Sequence, residues 1–304
     1  MGVVYAVLVK IVLLVGFGYL LKKVKCIDKD VQTGLNRLLL NAILPATILS
    51  SGQMEVSGEV LANMKTLVFL AFGYYIFAGL LARVCFNGQK MEKEKKQVAE
   101  LMVMFSNVGF IGFPITNELF GAEGTLYTVI YNLAYQVVFF TYGVLVFQEK
   151  NTFSLKTFLR TPATVASILC LGCFARNIRI PSGVEGAIDM VGNMTTPMSL
   201  LLIGCMLADL KFKDLFDDIK MYVVIVLRMV VCPAAMYMAA RAFRLTNSAV
   251  GTSVILMGMP VASLIAIYAE EYHKAEKFAA KTVVISMLAM LISLPVWMQI
   301  LIEA

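Results

Sequence analysis

The residues Asn107-Val-Gly-Phe-Ile-Gly-Phe-Pro114 interrupt a long apolar stretch of the sequence. Proline has no backbone N–H and clashes with the carbonyl one turn earlier, so a helix kinks or unwinds just before it. Within a lipid bilayer, the freed N–H and C=O groups must face protein or a water-filled cavity. The stretch therefore predicts a transmembrane helix that is interrupted part of the way along its length.

Similar interruptions occur at corresponding places in the two halves of the chain. Gly112-Phe-Pro114 corresponds to Gly258-Met-Pro260, and Asn41-Ala-Ile-Leu-Pro45 corresponds to Asn193-Met-Thr-Thr-Pro197, in the same order and at similar spacing. Matched helix breakers in two halves of a membrane protein are typical of a transport site. An ordinary proline kink is the alternative for any single copy, and the matched pairs favour the transport site.

The composition is that of a membrane protein. Hydrophobic residues make up 60% of the 304 residues and charged residues 15%, with a mean hydropathy of +0.81, whereas a soluble domain carries about 25% charge. Crossing a bilayer takes about 20 apolar residues. We predict an all-α polytopic membrane protein with ten transmembrane helices, numbered as spans 1 to 10: 3–22, 33–51, 64–86, 96–120, 124–148, 161–177, 183–209, 219–243, 247–272 and 275–302.

Lysine and arginine predict the orientation of these spans. Most of the 26 basic residues fall in the segments that follow the odd-numbered spans, and such segments face the cytoplasm. We therefore expect a multi-pass protein of the bacterial cytoplasmic membrane with both termini outside. The net charge of +6 follows from this asymmetry, so it is no indication of nucleic-acid binding.

The matched breaks also predict an internal repeat. Residues 1–148 would form one five-helix repeat, 149–160 a cytoplasmic joint, and 161–304 the second repeat. Because five is an odd number, the second repeat would enter the membrane from the opposite side, which gives an inverted repeat. The breaks at 112–114 and 258–260 would then meet near the middle of the membrane, where spans 4 and 9 cross.

Polar and helix-breaking residues within the spans are the candidate substrate ligands. Half-helices that begin at the breaks would direct the positive ends of their dipoles at the crossing and favour an anion. Hydrogen bonding between helices is the alternative role for the asparagines and glutamine. The candidate binding residues are Asn107, Gly112, Pro114, Asn132, Tyr135, Gln136, Met259, Pro260, Ser263 and Arg228. The second set of breaks, Asn41, Pro45, Asn193 and Pro197, is assigned to a scaffold.

Arg228 lies near the middle of span 8 and is the most deeply placed formal charge. A charge at this depth is costly unless it is paired or hydrated, so it is a functional candidate. Two roles remain open at this point. The guanidinium could bind a substrate carboxylate through two hydrogen bonds, or it could hold the carbonyl groups of the broken helices.

Signatures of catalysis are missing from the sequence. His273 is the sole histidine, which excludes a zinc site built from several histidines, and no phosphate-binding loop of the GxxxxGK[ST] type occurs. We therefore expect neither an enzyme nor a bound metal or cofactor.

The segment from Asn107 to Pro114 resembles the helix 4 motif of the auxin efflux carrier family, in which an asparagine stands seven residues before the proline. Span 9, from Met259-Pro260 to Glu270-Glu271-Tyr272, is similar to the family's proline-containing segment, which ends in an acidic residue and a tyrosine. The chain lacks the long cytoplasmic loop of many plant members, as a bacterial permease would.

The resemblance implies more than the residues themselves do. It implies a homodimer in which spans 1, 2, 6 and 7 form a scaffold and spans 3–5 and 8–10 a moving transport domain. It also implies small organic acids such as malate or malonate as substrates, with Asn107, Pro114, Gln136 and Pro260 in the binding region. It gives no role for Arg228.

The leading hypothesis is an alternating-access carrier of a small organic anion, with coupling to protons or sodium left open. A sodium-coupled organic-anion symporter of related crossover fold is an alternative and would need oxygen ligands clustered at the breaks. A membrane ligand sensor that does not transport is an alternative from another class.

Overall fold

The computed structural model describes residues 2–53, 57–148, 161–208 and 218–303, with only the backbone for residues 2–8 and 148. The joint predicted at 149–160 lies outside the described residues. In the described part of the chain, every secondary-structure element longer than an isolated bridge is a helix. The fold class is therefore all-α, as the sequence predicts.

The helices begin and end close to the predicted apolar stretches. The α-helices in chain order are α1 (Gly2–Lys23), α2 (Lys29–Leu38), α3 (Leu44–Ser51), α4 (Gly58–Asn87), α5 (Lys93–Met104), α6 (Phe113–Val138), α7 (Val144–Gln148), α8 (Pro162–Ala175), α9 (Ser182–Gly192), α10 (Thr195–Ala208), α11 (Ile219–Val226), α12 (Cys232–Ala242), α13 (Asn247–Met257), α14 (Ser263–Glu271) and α15 (Glu276–Glu303). Among the residues that the structure describes, four π-helical turns continue these helices, at Leu39–Ile43, Val108–Gly112, Phe139–Gly143 and Leu227–Val231.

Several helical segments are long and apolar enough to cross a membrane. Within the described residues five qualify, which are Gly58–Asn87, Val108–Phe147, Ser182–Ala208, Ile219–Ala242 and Glu276–Glu303. Shorter apolar helices cover Pro162–Ala175 and Asn247–Met257. This pattern is that of a polytopic helical membrane protein, whereas ten crossings and an inverted repeat stay predictions.

Three of the prolines follow directly on a π-helical turn. Pro45, Pro114 and Pro233 are each the second residue of an α-helix, and the five residues before each of these helices form a π-turn. A π-turn moves the hydrogen bonds from the fourth to the fifth preceding residue, which accommodates a residue that has no N–H and needs room one turn back. At these prolines the helix widens and continues.

The position of the break in span 4 differs from the prediction. The sequence predicts it at Gly112-Phe-Pro114, but α5 ends at Met104 and the main chain leaves the helical conformation over residues 105–107. Gly112 ends the π-turn, and Pro114 lies in the first turn of α6. In span 9 the break lies at the predicted place, because α13 ends at Met257 and α14 begins at Ser263.

Spans 4 and 5 are separated by a single glycine. Gly121 has φ +60° and ψ −147° inside α6, a conformation that residues with a Cβ rarely adopt. It lies in the predicted gap between the two spans. The chain therefore changes direction at Gly121 although helical structure resumes on both sides.

Contacts divide the chain into two compact units, and each unit combines segments from both predicted repeats. The first unit contains Met1–Met64, Gly109–Leu133 and Lys156–Leu210. The second unit contains Lys65–Val108, Ala134–Leu155 and Lys211–Ala304. The repeat boundaries concern symmetry rather than contacts, so they stay a prediction.

In the first unit, α1 and α10 pack so closely that two glycines are required. A Cβ on Gly18 would overlap the carbonyl of Leu201, and a Cβ on Gly204 would overlap the carbonyl of Val15. Small residues allow membrane helices to approach this closely. A cluster of Leu39, Ile43 and Leu202 continues the same core.

Candidate functional site

The candidate site in the second unit is the place where its two interrupted helices meet. Ser106 and Val261 form an isolated antiparallel β-bridge. On either side of it, the N–H of Asn107 donates to the carbonyl of Pro260 at 2.8 Å, and the N–H of Ala262 donates to the carbonyl of Phe105 at 3.0 Å. The two unwound segments therefore satisfy main-chain groups of each other, which unwound backbone away from water requires.

A serine of the last helix supports the same segment. The N–H of Val261 donates to Oγ of Ser286 at 3.1 Å, and that hydroxyl donates to the carbonyl of Val283 at 2.6 Å. Ser286 is fully buried in α15. The Ser286 hydroxyl thus accepts a hydrogen bond from the N–H of Val261, which lies outside any helix and so has no helical acceptor.

Asn107 is held at the beginning of α14. Its side-chain Nδ2 donates to Oγ of Ser263 at 3.3 Å, and only 6% of the residue is exposed. Ser263 is the first residue of α14, where the helix dipole is positive and N–H groups lack helical partners. Next to Asn107, the hydroxyl of Ser106 is buried without a hydrogen-bond partner among the described residues. This combination of neutral donors and a helix N-terminus suits an anion.

Arg228 is the charged centre of the second unit, and it is 0% exposed. Its Nη1 donates to the carbonyls of Val103 at 2.8 Å and Met104 at 3.4 Å, and also to the hydroxyl of Tyr74. On the other side, Nη2 donates to the carbonyl of Met257 at 2.8 Å and Nε to that of Met259 at 3.3 Å. Each of the three nitrogens is therefore engaged by the protein itself.

These carbonyls belong to the ends of two interrupted helices. Met104 is the last residue of α5 and Met257 the last residue of α13, so their carbonyl groups carry the negative ends of the helix dipoles. One guanidinium compensates both ends. Of the two roles that the sequence leaves open for Arg228, this geometry favours the clamp on the broken helices over direct binding of a carboxylate.

Aromatic rings line the break on the side of α6. Tyr135 meets the ring of Phe105 edge-on at 5.3 Å and stacks on Phe139 at 5.8 Å between ring centres. Phe139 in turn meets Tyr268 of α14 edge-on at 5.1 Å. Gln136, the next residue after Tyr135, is 5% exposed. The rings pack around Phe105, so they hold the unwound segment on an apolar support.

Three predicted ligands lie in the first unit. Gly112 and Pro114 are buried there, and Oγ1 of Thr196 donates to the carbonyl of Pro114 at 3.4 Å. Asn132 is buried and donates from Nδ2 to Oγ of Ser167 at 3.4 Å. This is a hydrogen bond between helices, the alternative role for such a residue. The other predicted ligands belong to the second unit: Asn107, Tyr135, Gln136, Arg228, Met259, Pro260 and Ser263.

The first-unit breaks are joined by hydroxyl groups. The hydroxyl of Thr47 lies 2.5 Å from that of Thr195 and donates to the carbonyl of Gly192 at 2.8 Å. Asn41 and Asn193 themselves are exposed, as is Pro197, and Pro45 is half-buried. The asparagines and prolines therefore mark the place, but the contact is made by Thr47, two residues after Pro45, and by Thr195, which lies between Asn193 and Pro197.

A charged cavity also lies in the second unit, away from the breaks. It measures about 700 Å³ and includes Lys95, Asp218, His273, Glu276 and Lys281 in its lining. Lys95 pairs with Asp218, and Nδ1 of His273 lies 2.8 Å from Oε1 of Glu276. These two pairs engage four of the titratable side chains that line the cavity. Among the described residues, no cluster of three or more histidine, cysteine, aspartate or glutamate side chains could hold a metal ion.

Sequence reasoning missed the residues that complete these contacts. Tyr74, Ser106 and Ser286 belong to the second-unit site, and Thr47 lies at the first-unit breaks, where its partner Thr195 is already part of the Asn193-Met-Thr-Thr-Pro197 motif. Ser106 had a usable signal, because it immediately precedes Asn107. The others are hydroxyl residues in apolar helices, which the sequence offers in many places.

The fold and the paired breaks define a multi-pass helical membrane protein of the transporter class. The chain belongs to the Membrane transport protein family, which it matches over residues 3–157 and 151–298, and this is the family of the auxin efflux carriers that its motifs resemble. The family points to a transporter rather than an enzyme.

Relatives of similar length carry the same general description. An uncharacterized transporter of Methanothermobacter thermautotrophicus is 24% identical over 96% of both chains. One of Methanocaldococcus jannaschii is 22% identical over 96% of this chain and 97% of its own. The uncharacterized transporter YfdV of Escherichia coli is 20% identical over 96% of both chains.

Proposed function

We propose that the protein is a secondary transporter that moves a small organic anion across the bacterial cytoplasmic membrane by alternating access. The observation that carries this proposal is the meeting of two unwound segments at Ser106 and Val261, beside the Asn107 side chain and the N-terminus of α14. Discontinuous helices bind anions with such N-termini. A carboxylate is the anionic group that we assign to the substrate, with malate and malonate as the first compounds to test.

The site requires only neutral hydrogen-bond donors and helix dipoles. Asn107 and Ser263 offer an amide and a hydroxyl, and the N–H groups of Ser263 and Leu264 precede the first hydrogen bond of α14, which Ile265 donates to Ala262. Arg228 adds a positive potential without using its donors on the ligand, since they are engaged by carbonyl groups. An anion bound in this way could be released to either side, because no direct ion pair has to be broken.

The architecture that we propose for transport is that of ten spans in two inverted repeats, with spans 4 and 9 crossing at the bridge. Spans 1, 2, 6 and 7 serve as the scaffold, spans 3–5 and 8–10 carry the substrate, and two copies form a homodimer. The composition of the second unit supports this assignment. It contains most of spans 3, 8, 9 and 10 together with the break in span 4.

Flux measurements on Asn107→Asp test the sign of the substrate's charge. The substitution keeps the size of the side chain but adds a negative charge, so we expect uptake of radiolabelled malate, malonate or indole acetate into proteoliposomes to fall about 10-fold or more. Asn87→Asp is the matched control, because Asn87 is exposed at the end of α4 and accepts a hydrogen bond from Lys96. We expect this control to transport normally.

Two results would refute the proposal. One is the absence of saturable flux for every carboxylate tested with the wild-type protein. The other is undiminished carboxylate flux in Asn107→Asp, which would place the anion elsewhere.

A further inference from the structure

The surroundings of the Arg228 guanidinium have the composition of a cation site. Four main-chain carbonyl oxygens, of Val103, Met104, Met257 and Met259, lie 2.8 to 3.4 Å from its nitrogens, and the Tyr74 hydroxyl completes the set. The carbonyls of Val103, Met104 and Met257 come from the C-terminal ends of two interrupted helices, and that of Met259 comes from the unwound segment that follows one of them. An all-oxygen shell of this kind is what a hard cation would select.

In transporters with discontinuous helices, unwound carbonyls and half-helix C-termini coordinate the coupling cation. Here the same groups surround a cation that is part of the chain. Arginine keeps its charge under all ordinary conditions, and this side chain is 0% exposed. It therefore can neither leave with the substrate nor be replaced by an ion from solution.

We propose that Arg228 is a tethered substitute for a coupling cation, so that the protein neither binds nor requires sodium at its interrupted helices. This inference deepens the proposed function and rests on it, because a coupling cation has a role only if the protein is a transporter. It also speaks against the sodium-coupled symporter that the sequence left open. Arg228 is accordingly a positioning residue, which fixes the two helix ends and so the unwound segments that follow them.

The proposal predicts what happens when the tethered cation is removed. In Arg228→Ala the four carbonyls lose the guanidinium donors, although that of Val103 keeps a hydrogen bond from the Tyr74 hydroxyl at 3.4 Å. The deleted side chain leaves a space lined by oxygen atoms. Unpaired buried carbonyls are costly, so a small soluble cation of the right shape will bind there. Methylguanidinium has the donor geometry of the missing group.

Thermal unfolding of the purified full-length protein tests this without knowledge of the substrate. At equal ionic strength, wild-type protein should have the same Tm in sodium chloride and in choline chloride. Arg228→Ala should have a Tm lower by roughly 5–20 °C, and millimolar methylguanidinium chloride should raise it again. Arg241→Ala is the matched control, because Arg241 is an exposed arginine at the end of α12. The Tm of this control should be the same in sodium chloride and choline chloride, and methylguanidinium chloride should not raise it.

Specific outcomes would overturn the proposal. A wild-type Tm that rises with sodium but not with choline would show an ordinary sodium site, and this measurement remains decisive if Arg228→Ala does not fold. An Arg228→Ala protein with the same Tm as the wild type would also overturn the proposal. So would a folded Arg228→Ala protein whose Tm methylguanidinium raises no more than it raises that of Arg241→Ala. A failure of carboxylate flux, by contrast, would refute the proposed function and leave these results standing.

Discussion

The two pairs of breaks look alike in sequence and are built differently. In the first unit, Pro45 and Pro197 each lie in the first turn of an α-helix, and the main chain around them does not unwind into an extended segment. The hydroxyl groups of Thr47 and Thr195 join the two helices at a distance of 2.5 Å. In the second unit, residues 105–107 and 258–262 unwind and pair as a short antiparallel bridge. A buried arginine holds the helix ends that these segments leave behind.

The difference indicates a division of labour between the two pairs. In the first unit, the hydroxyls of Thr47 and Thr195 form hydrogen bonds with protein groups, so these hydroxyls are not available to a ligand. Unwound segments leave helix termini with donors in excess, and they need a compensating charge at the carbonyl ends. We therefore assign the first pair of breaks to the structural scaffold and the second pair to substrate binding.

Gly192→Val should have the larger effect on the first-unit pair. A Cβ at Gly192 would come within 3.1 Å of the backbone of Thr47, and overpacking of this kind costs about 1–3 kcal/mol. The measurement is the free energy of unfolding by denaturant titration in mixed micelles. Gly186→Val in the same helix is the control, because nothing lies within 4 Å of its Cβ position. Equal stability of the two variants would refute the close contact.

Thr47→Val should have a smaller effect, because it removes a hydroxyl and keeps the shape. The lost hydrogen bonds to Gly192 and Thr195 are expected to cost about 1 kcal/mol. Thr33→Val provides the comparison, since Thr33 is exposed and bonds only its own helix in α2. That control should change stability by less than about 0.5 kcal/mol. If both substitutions cost the same, the threonine pair does not join the breaks.

The helical fold and the apolar stretches follow from the sequence because both depend on local composition. The kind of interruption does not. Pro114 removes an N–H group wherever it stands, but whether the helix then widens into a π-turn or unwinds depends on groups that other helices supply. In span 4 the proline marks the π-turn, and Asn107 marks the unwound segment seven residues earlier.

The candidate site was predictable in part for the same reason. Asn107, Pro260 and Ser263 are recognisable as polar or helix-breaking residues in apolar surroundings. The sequence offered two roles for Arg228, and it could not choose between them because the choice depends on main-chain carbonyls, which every residue carries. The positions of Thr47 and Ser286 likewise depend on which helices become neighbours.

The central claim is that the second-unit breaks, and not the first-unit breaks, bind the substrate. Carboxylate flux in proteoliposomes, compared between Asn107→Ala and Asn193→Ala, tests it most directly because each variant removes the asparagine of one break. We expect Asn107→Ala to lose flux by roughly 10-fold or more, as the loss of a buried hydrogen-bonding group implies, and Asn193→Ala to stay within about twofold of the wild type. The reverse order, with Asn193→Ala inactive and Asn107→Ala active, would contradict the claim.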